Sequence, residues 1–349
     1  MEREPERVTG RLLPVRVELL HQLDRVPHQP EAGGKRRLDV ILALGRLTDG
    51  DAAECVETAG GRHVGRDDPE CVEARRHAKT VSRRVAHVKA VVITGAGSGI
   101  GAACARRLAA DGYGVVLSGR RLEPLDEVAA DLEHAVVVPG DVGDPEHGAE
   151  LAEAARANFG GLDGVVLNAG IGESAAAGDD TPEGWERTIR INLTGAFLVA
   201  RACLPLLVER RGSLVGISSG SALRAGNDDA SYCTSKAGLS MLCKTIANDY
   251  GPRGVRANAV CPGWVRTPMG DAAMDGLAEL RGTDREGAYA LAHANVPLRR
   301  PGEPEEIASV VAFLLSPEAA YVSGVELLVD GGADIVDVSA TAWTIPAAP

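Results

Sequence analysis

The sequence predicts an α/β protein built on a doubly wound parallel sheet, with about seven strands and helices on both faces. Two observations predict it. Short runs rich in valine alternate with helical stretches from residue 89 to residue 329, and a glycine-rich turn follows the first of these runs. Such alternation implies right-handed crossovers, which place helices on both faces of the sheet. Because ligands of these sheets bind beyond the carboxyl ends of the strands, polar residues that follow a strand are candidate site residues.

The first strand is predicted at 89–93, where K-A-V-V-I is a short apolar run, and it leads through T-G-A-G-S-G-I-G into a helix at 102–111. The other strands are predicted at 114–118, 135–139, 164–167, 213–218, 256–261 and 325–329. The other helices are predicted at 121–132, 145–159, 181–209, 230–250 and 303–315.

The composition of the chain argues against several classes of binding partner and indicates a location. The 349 residues are 45% hydrophobic and 25% charged with a net charge of −12, which argues against nucleic acid or an anionic membrane as partner. No run of 18 apolar residues is present, so no membrane span is expected. The start of the chain lacks the apolar stretch of a signal peptide. The 7 cysteines are widely scattered, so we expect reduced thiols and a cytoplasmic location.

Residues 1–87 differ in character from the remainder. They hold 16 basic and 15 acidic residues and no aromatic residue. Their helical stretches, at 12–23 and 37–47, are too short to bury the core of a domain, and no alternating strands are predicted. We therefore expect an N-terminal extension at 1–87, either poorly structured or an artefact of the assigned start, and one folded domain at 88–349.

If the assigned start is an artefact, the true start would lie near Val85 or Val88.

Residue types that bind zinc do occur in the extension, at Cys55, His63, Cys71 and His77. Their spacing lacks the close pairs of structural zinc sites, so we predict no metal site.

The turn after the first strand has the features of a phosphate-binding loop. Gly95 and Gly99 let the backbone turn tightly and approach a pyrophosphate, and Gly101 permits close packing of helix on strand. Ser98 and Ile100 lie at the entry to the helix, whose N-terminus offers free N–H groups and a positive dipole end. This strand–turn–helix context indicates that a dinucleotide binds here.

Four motifs follow one another along the chain: T-G-x-x-x-G-x-G at 94–101, N-A-G at 168–170, Y-x-x-x-K at 232–236 and P-G at 262–263. In order and spacing they resemble the one-domain branch of the short-chain dehydrogenase/reductase family, and the resemblance runs from 89 to 332. It implies a Rossmann fold and hydride transfer between a nicotinamide cofactor and a carbonyl or secondary-alcohol substrate. Reduction of a 3-oxoacyl thioester is one alternative within this class, and oxidation of a small alcohol, sugar or steroid is another.

Two residues of the Y-x-x-x-K motif form a candidate proton-transfer pair. Tyr232 and Lys236 are four residues apart at the start of a predicted helix and share one face. We expect the Lys236 ammonium to lower the pKa of Tyr232, so that the phenol acts as general acid and base. Ser219, 13 residues before Tyr232, ends a strand and can hydrogen-bond the substrate oxygen. The adjacent Ser218 is the alternative, and the family spacing favours Ser219.

A fourth catalytic candidate is Asn192. Asparagine is a mediocre helix former, so its place inside the predicted helix at 181–209 suggests a task for its side chain. The resemblance implies that Asn192 holds Lys236 through a water in a proton relay. With Ser219 and Tyr232 the set is complete, which favours an enzyme over a non-catalytic dinucleotide-binding regulator on the same fold.

The choice of cofactor is made after the second strand, where an acidic residue would bind the adenosine ribose and select NAD. The sequence has L-S-G-R-R at 117–121 and no acid. Arg120 and Arg121 suit the 2′-phosphate of NADP, which is therefore favoured. The alternative is that both arginines are solvated residues of a helix start and that the cofactor is NAD.

The resemblance also implies further cofactor contacts. They are Asp141 and Val142 for the adenine, Asn168 and Gly170 for the groove, Pro262 and Gly263 in the P-G motif, and Val265 and Thr267 for the nicotinamide carboxamide.

The segment at 268–301 corresponds to the substrate lid of relatives, and we expect it to be helical and mobile. Four large side chains in and before it either line a pocket or only pack at helical spacing: Trp264, Met269, Met274 and Tyr289. Three cysteines near the site are expected to be small buried hydrophobes: Cys233, Cys243 and Cys261.

The tail after Gly332 is apolar enough to pack against a neighbouring subunit. The resemblance implies a homotetramer or homodimer, joined through the two long helices and the last strand.

Overall fold

The computed structural model describes residues 88–173 and 175–337, and the strands β1 (Cys55–Glu57) and β2 (His63–Gly65). The chain divides into two compact units, Met1–Ala86 and His87–Pro349.

The first unit contains a small antiparallel sheet in which β1 pairs with β2 and Cys55 lies opposite Gly65. The prediction of no strands before residue 88 was wrong, because strands of three residues are too short to show an alternating pattern. The predicted helices at 12–23 and 37–47 lie outside the described residues. So do Cys71 and His77.

The second unit is built on a seven-stranded sheet in the order β5-β4-β3-β6-β7-β8-β9, with every neighbouring pair parallel. Its strands are β3 (Ala90–Thr94), β4 (Gly114–Gly119), β5 (Ala135–Pro139), β6 (Gly164–Leu167), β7 (Ser213–Ile217), β8 (Arg256–Pro262) and β9 (Glu326–Val329). Its α-helices are α1 (Gly99–Ala110), α2 (Leu122–Ala129), α3 (His147–Phe159), α4 (Pro182–Ile189), α5 (Ala196–Arg210), α6 (Ala230–Tyr250), α7 (Pro268–Arg281), α8 (Arg285–Ala292) and α9 (Pro304–Leu315). The predicted fold class is confirmed.

The core lies on both faces of this sheet. On one face Val91 and Ile93 of β3 pack with α1, α2 and α9. On the other face Val92 packs with α3, α5 and α6. Because each strand is covered on both sides, its residues are apolar without alternation, which is why the short valine-rich runs were readable as buried parallel strands.

The helix predicted at 181–209 is interrupted. It consists of α4, a π-helical turn at Arg190–Gly195 and then α5. The whole stretch Pro182–Arg210 is long and apolar enough to cross a membrane by length and composition, but 56% of its most apolar window is buried. Its buried residues pack with α3 and α6, as expected for the core helix of a globular domain.

The predicted lid consists of two ordered helices, α7 and α8. The hydroxyl of Thr267 caps α7 by accepting a hydrogen bond from the Gly270 N–H at 3.0 Å, and Asp284 caps α8 through the Gly287 N–H at 2.8 Å. The Arg266 guanidinium binds the Glu286 carboxylate through two hydrogen bonds of 2.8 and 2.7 Å and so ties α8 to the loop after β8. The expectation of helix in this segment is confirmed.

Candidate active site

The glycine turn lies at the point where the strand order reverses, because β3 has β4 on one side and β6 on the other. Gly95 and Gly99 take positive φ angles of 65° and 51°. A Cβ on Gly101 would lie 2.2 Å from the carbonyl oxygen of Gly95, so only glycine fits. Ser98 is the N-cap of α1, but no side chain of the described chain caps this helix. The N–H groups around Ile100 are therefore available to an anion.

Asn168 fixes the glycine loop to the end of β6. Its side-chain amide donates to the carbonyl oxygens of Thr94 at 2.9 Å and Gly95 at 3.1 Å. Its backbone N–H and that of Ala169 both donate to the Thr94 hydroxyl at 3.0 Å. Asn168 thus shapes the groove by holding the loop, and Gly170, two residues later, lies in the groove wall.

A cleft of about 230 Å³ runs along this edge of the sheet. Among the predicted contacts, it is lined by Gly95, Ser98, Arg120, Asp141, Val142 and Gly170. The lining residues that the sequence analysis did not single out are Gly97, Gly119, Pro124, Leu125, Gly140, Ala169, Ile171 and Ile191. Several of them are small residues at strand ends, and small residues in such loops gave no signal beyond that of ordinary turns.

The arginine end of the cleft carries unpaired positive charge. Arg120 and Arg121 both line it, and no carboxylate of the described chain lies within 4.0 Å of either guanidinium. Asp141 is instead bound by the Gly143 N–H at 2.8 Å and by the Arg190 guanidinium at 3.3 Å. These two contacts hold the pKa of Asp141 below its ordinary value. Arg190 was not predicted from the sequence.

Lys236 is a buried cation at the carboxyl end of β7. The residue is 5% exposed, and its ammonium donates a hydrogen bond to the Ile217 carbonyl oxygen at 2.9 Å. The ammonium lies 5.6 Å from the centroid of the Tyr232 ring. Burial lowers the pKa of Lys236 to about 8. The two predicted residues therefore lie together, on the first turns of α6.

The expected lowering of the Tyr232 pKa is not found. Burial raises the pKa of Tyr232 above its ordinary value, and a hydrogen bond with the Ser219 side chain acts in the opposite direction with a smaller effect. Desolvation dominates because protein atoms surround most of the phenol of this partly exposed residue and make the phenolate costly. At neutral pH Tyr232 is consequently a phenol with a proton to donate.

The structure separates the two candidate serines. Ser219 interacts with Tyr232 and also accepts a hydrogen bond from the Ser221 N–H at 3.1 Å. Ser218 points into the protein, where its hydroxyl donates to the Lys236 carbonyl and accepts from Ser240, both at 2.9 Å. Ser219 is therefore the serine beside the phenol, and Ser218 braces the helix that carries Lys236.

Asn192 lies in the π-helical turn between α4 and α5 and is fully buried. Its carboxamide oxygen accepts from the Ile171 N–H at 2.8 Å, and its amide donates to the Ile171 carbonyl at 2.9 Å. The amide also donates to Ser235 at 3.0 Å, and Ser235 in turn donates to the Tyr232 carbonyl at 2.7 Å. Single π-turns inside α-helices are frequent at functional sites.

Gly170 shows how close Asn192 and Lys236 are to one another. A Cβ at this position would lie 3.3 Å from both the Asn192 oxygen and the Lys236 ammonium. The three residues thus meet at one point of the cleft wall. Ser235 was missed by the sequence analysis, and the only available signal was its place inside the Y-C-T-S-K stretch.

The end of β8 and the loop after it, which carry Pro262, Gly263, Val265 and Thr267, are not among the residues that line the cleft, but the loop contacts the glycine turn. The Gly263 N–H donates to the Val329 carbonyl at 3.1 Å, which fixes the P-G motif that begins at Pro262 to the last strand. Val265 is buried and forms a β-bridge with Gly302. The methyl group of Thr267 lies 3.0 Å from where a Cβ of Gly99 would stand, so this loop contacts the glycine turn directly.

The four large side chains around the lid divide into two pairs. Met274 and Tyr289 are buried in a small apolar cluster between α7 and α8 and serve as packing. Trp264 and Met269 are 47% and 45% exposed. The Met269 sulfur lies 3.5 Å from where a Cβ of Gly172 would stand, which places it across from the loop after β6.

The cysteines of the described chain are all free. Cys243 and Cys261 are buried, as expected, and burial raises the pKa of both thiols, that of Cys243 to about 12. Cys233 is only partly buried, so the expectation of burial fails for this residue.

A dinucleotide-type glycine loop at a topological switch point, together with a cluster of partly exposed Tyr232 and Ser219 and buried Lys236, defines a class of protein: the nicotinamide-dependent oxidoreductases that interconvert carbonyls and alcohols. A family model described as enoyl-(acyl carrier protein) reductase matches residues 95–334. The chain belongs to the short-chain dehydrogenase/reductase family.

Relatives agree with this assignment over nearly their whole length. The chain is 42% identical over 270 residues to Protein MoaE of Klebsiella aerogenes, covering 73% of this chain and 99% of that protein. It is 38% identical to 3beta-hydroxysteroid dehydrogenase 1 of Eggerthella lenta, covering 70% of this chain and 93% of that protein.

Two solved structures show the same fold. A levodione reductase superposes with a TM-score of 0.67 at 34% identity, covering 71% of this chain and 98% of that one. An actinorhodin polyketide ketoreductase with NADPH gives a TM-score of 0.67 at 32% identity, covering 70% of this chain and 97% of that one.

Proposed function

We propose that the chain is an NADPH-favouring reductase of a carbonyl compound, working reversibly on the corresponding secondary alcohol. The observation that carries the proposal is that the Ser219 side chain interacts with the Tyr232 phenol while the Lys236 ammonium lies 5.6 Å from the centroid of the phenol ring. Two hydroxyl groups there can bind one substrate oxygen, and one of them holds the proton that a carbonyl must receive.

The residues present fit a nicotinamide dinucleotide. Gly95 and Gly101 leave a cradle that a single Cβ would fill, and the uncapped N-terminus of α1 faces it. We infer that the pyrophosphate binds there, the adenosine beside Asp141 and Val142, and the nicotinamide near Val265 and Thr267. When bound, the cofactor supplies the hydride for the substrate carbon.

The protein's own residues handle the proton. Tyr232, whose pKa burial keeps high, donates its proton to the substrate oxygen, while the Ser219 hydroxyl stabilises the negative charge that develops on that oxygen. The Lys236 ammonium, 5.6 Å from the centroid of the Tyr232 ring, stabilises the phenolate that remains, and the phenolate takes up a proton from solvent before the next turnover. Asn192 holds the backbone of Ile171, next to Gly170, whose Cα faces the lysine. At neutral pH Tyr232 holds the proton that the reduction step consumes.

The preference for NADP over NAD is supported by the guanidinium groups of Arg120 and Arg121 at the adenosine end of the cleft, which form no direct ion pair within the described chain, although the charge of Arg120 contributes to lowering the pKa of Asp141. Guanidinium groups bind phosphate oxygens through bidentate hydrogen bonds. The two residues directly after β4 are arginines, and neither offers a carboxylate to an unphosphorylated ribose.

The experiment is a rate screen. Oxidation of NADPH and of NADH is followed against a panel of ketones, 3-oxoacyl thioesters, sugars and steroid ketones. Turnover of at least one carbonyl, faster with NADPH, supports the proposal. Tight NADPH binding without turnover of any panel member would indicate a dinucleotide-binding regulator.

We further propose a cytoplasmic homotetramer or homodimer. Free cysteines support the location, and two exposed large apolar side chains on the long helices, Phe197 on α5 and Met241 on α6, support the assembly. Light scattering during size-exclusion chromatography measures the assembly, and a monomer would contradict it.

A further inference from the structure

Three polar side chains form a chain behind the adenosine end of the cleft. The Ser118 hydroxyl lies 2.8 Å from Nε2 of His147, and Nδ1 of His147 lies 3.0 Å from the Glu150 carboxylate. Ser118 is fully buried and His147 is 2% exposed, whereas the Glu150 side chain is 62% exposed. An imidazole with both ring nitrogens bonded is held in one orientation.

Ser118 connects this chain to the glycine loop. It directly precedes Gly119 and Arg120, which line the cleft. Its backbone carbonyl accepts a hydrogen bond from the Ala96 N–H at 2.9 Å. A shift of Ser118 would therefore move both the loop after β3 and the arginine at the end of β4.

His147 also supports the end of β5. A Cβ on Gly140 would lie 2.3 Å from Nδ1 and Cε1 of His147, so the imidazole packs directly on the Gly140 backbone. The Gly140 N–H donates to the Gly119 carbonyl at 3.0 Å. One side chain thus braces the ends of both strands that form this wall of the cleft.

A Ser–His–Glu chain also has the composition of a hydrolytic triad. That interpretation is excluded for this site because Ser118 has 0% exposure, and no substrate can reach its hydroxyl.

We propose that His147 is a positioning residue that sets the affinity of the cleft for the 2′-phosphate end of NADPH, acting through Ser118 and Gly140. The inference rests on the proposed use of NADPH. His147 does not itself line the cleft, so its effect passes through the backbone that carries Arg120.

The test uses His147→Leu in the full chain. The Kd of 2′,5′-ADP and the KM values for NADPH and NADH are measured with kcat. We expect about a tenfold rise in the Kd and in the KM for NADPH, the size of one lost buried hydrogen bond. The KM for NADH should rise by a smaller factor than the KM for NADPH. The kcat at saturating NADPH should fall by less than about tenfold.

Further variants separate positioning from a general loss of structure. His147→Gln keeps an amide that can replace Nε2 opposite Ser118, and it should recover most of the affinity. Glu150→Gln, on the exposed side, should weaken 2′,5′-ADP in the same direction even if His147→Leu does not fold. His134→Leu, the same change at a histidine whose side chain is 48% exposed, should leave the Kd unchanged.

An unchanged Kd of 2′,5′-ADP in the folded His147 and Glu150 variants would overturn the inference. So would a fall in kcat and thermal stability with no change in Kd. If the wild-type chain binds neither NADPH nor 2′,5′-ADP, the proposed cofactor preference fails first, and the two failures are thus distinguishable.

Discussion

The ammonium of Lys236 donates a hydrogen bond to the carbonyl oxygen of Ile217 at 2.9 Å, and the residue is only 5% exposed. Burial lowers the pKa of this lysine to about 8, because the charged form loses hydration that a single carbonyl does not replace. The cation to which we assign a part in the proposed reaction is therefore held at a cost to the stability of the fold.

This relationship predicts an alkaline limit to reduction. As the pH rises through about 8, Lys236 loses its proton, and kcat/KM for the carbonyl substrate should fall. Initial rates between pH 6 and pH 10 at saturating cofactor measure this fall in kcat/KM. A rate that stays flat up to pH 10 would contradict the assignment.

The same pKa makes a stability prediction with a definite sign. Above pH 8 the folded chain releases the Lys236 proton while the unfolded chain keeps it up to its ordinary pKa of 10.5. The free energy of unfolding should therefore rise with pH in this window, by roughly 3 kcal/mol relative to Lys236→Met. Urea denaturation of both proteins across the window checks it, and parallel curves would refute the lowered pKa.

The glycine loop offers a matched pair of substitutions. Gly101→Ala places a Cβ 2.2 Å from the Gly95 carbonyl, so the loop must shift, and NADPH affinity should fall about tenfold or more. Gly276→Ala lies in α7 with no atom within 4 Å of the new Cβ. It should keep wild-type affinity and raise stability by up to about 1 kcal/mol. Equal NADPH affinities for the two variants would argue against the close approach.

The arginines at the end of β4 predict a change of cofactor preference. Arg120→Ala should weaken NADPH by about tenfold while leaving NADH nearly unchanged, because only NADPH carries the 2′-phosphate. The ratio of kcat/KM for the two cofactors measures the effect. Arg106→Ala, an exposed arginine of α1, is the control and should leave the ratio unaltered. A preference that survives the removal of both Arg120 and Arg121 would assign the phosphate to other residues.

Alanine substitutions of the two adjacent serines, Ser218 and Ser219, should affect different properties of the protein. Ser219→Ala removes the hydroxyl beside Tyr232, and we expect kcat to fall about a hundredfold with little change in thermal stability. Ser218→Ala breaks the buried bonds to Lys236 and Ser240, and it should cost about 1–3 kcal/mol of unfolding free energy. Reversed phenotypes would make Ser218 the serine of the reaction.

Much of the fold was predictable because parallel strands covered on both faces are short apolar runs, such as Ala90–Thr94, and because the glycine turn marks the first crossover. The proximity of Tyr232 and Lys236 was predictable because the two residues occupy one helix face at a fixed spacing. The direction of the Tyr232 pKa was not, since it depends on how deeply the phenol is buried, and spacing along a helix carries no information about burial.

Other parts of the site arise only in three dimensions. The π-helical turn at Arg190–Gly195 follows from tertiary packing, and its sequence R-I-N-L-T-G has no distinct signal. Arg190 reaches Asp141 across 49 residues of sequence, and Ser235 joins Asn192 to Tyr232 from a position that reads as an ordinary helix residue. Such contacts depend on which helix faces which strand end.

The most direct test of the proposed chemistry is Tyr232→Phe, which removes one oxygen atom and keeps the ring. We predict that kcat for carbonyl reduction falls by about a thousandfold or more, while the Kd for NADPH, measured by fluorescence titration, stays within about twofold of wild type. Phe replaces the phenol without disturbing the cleft at the adenosine end, so binding is the internal control. Turnover close to that of the wild type in this variant would show that Tyr232 is not the proton donor and would contradict the account.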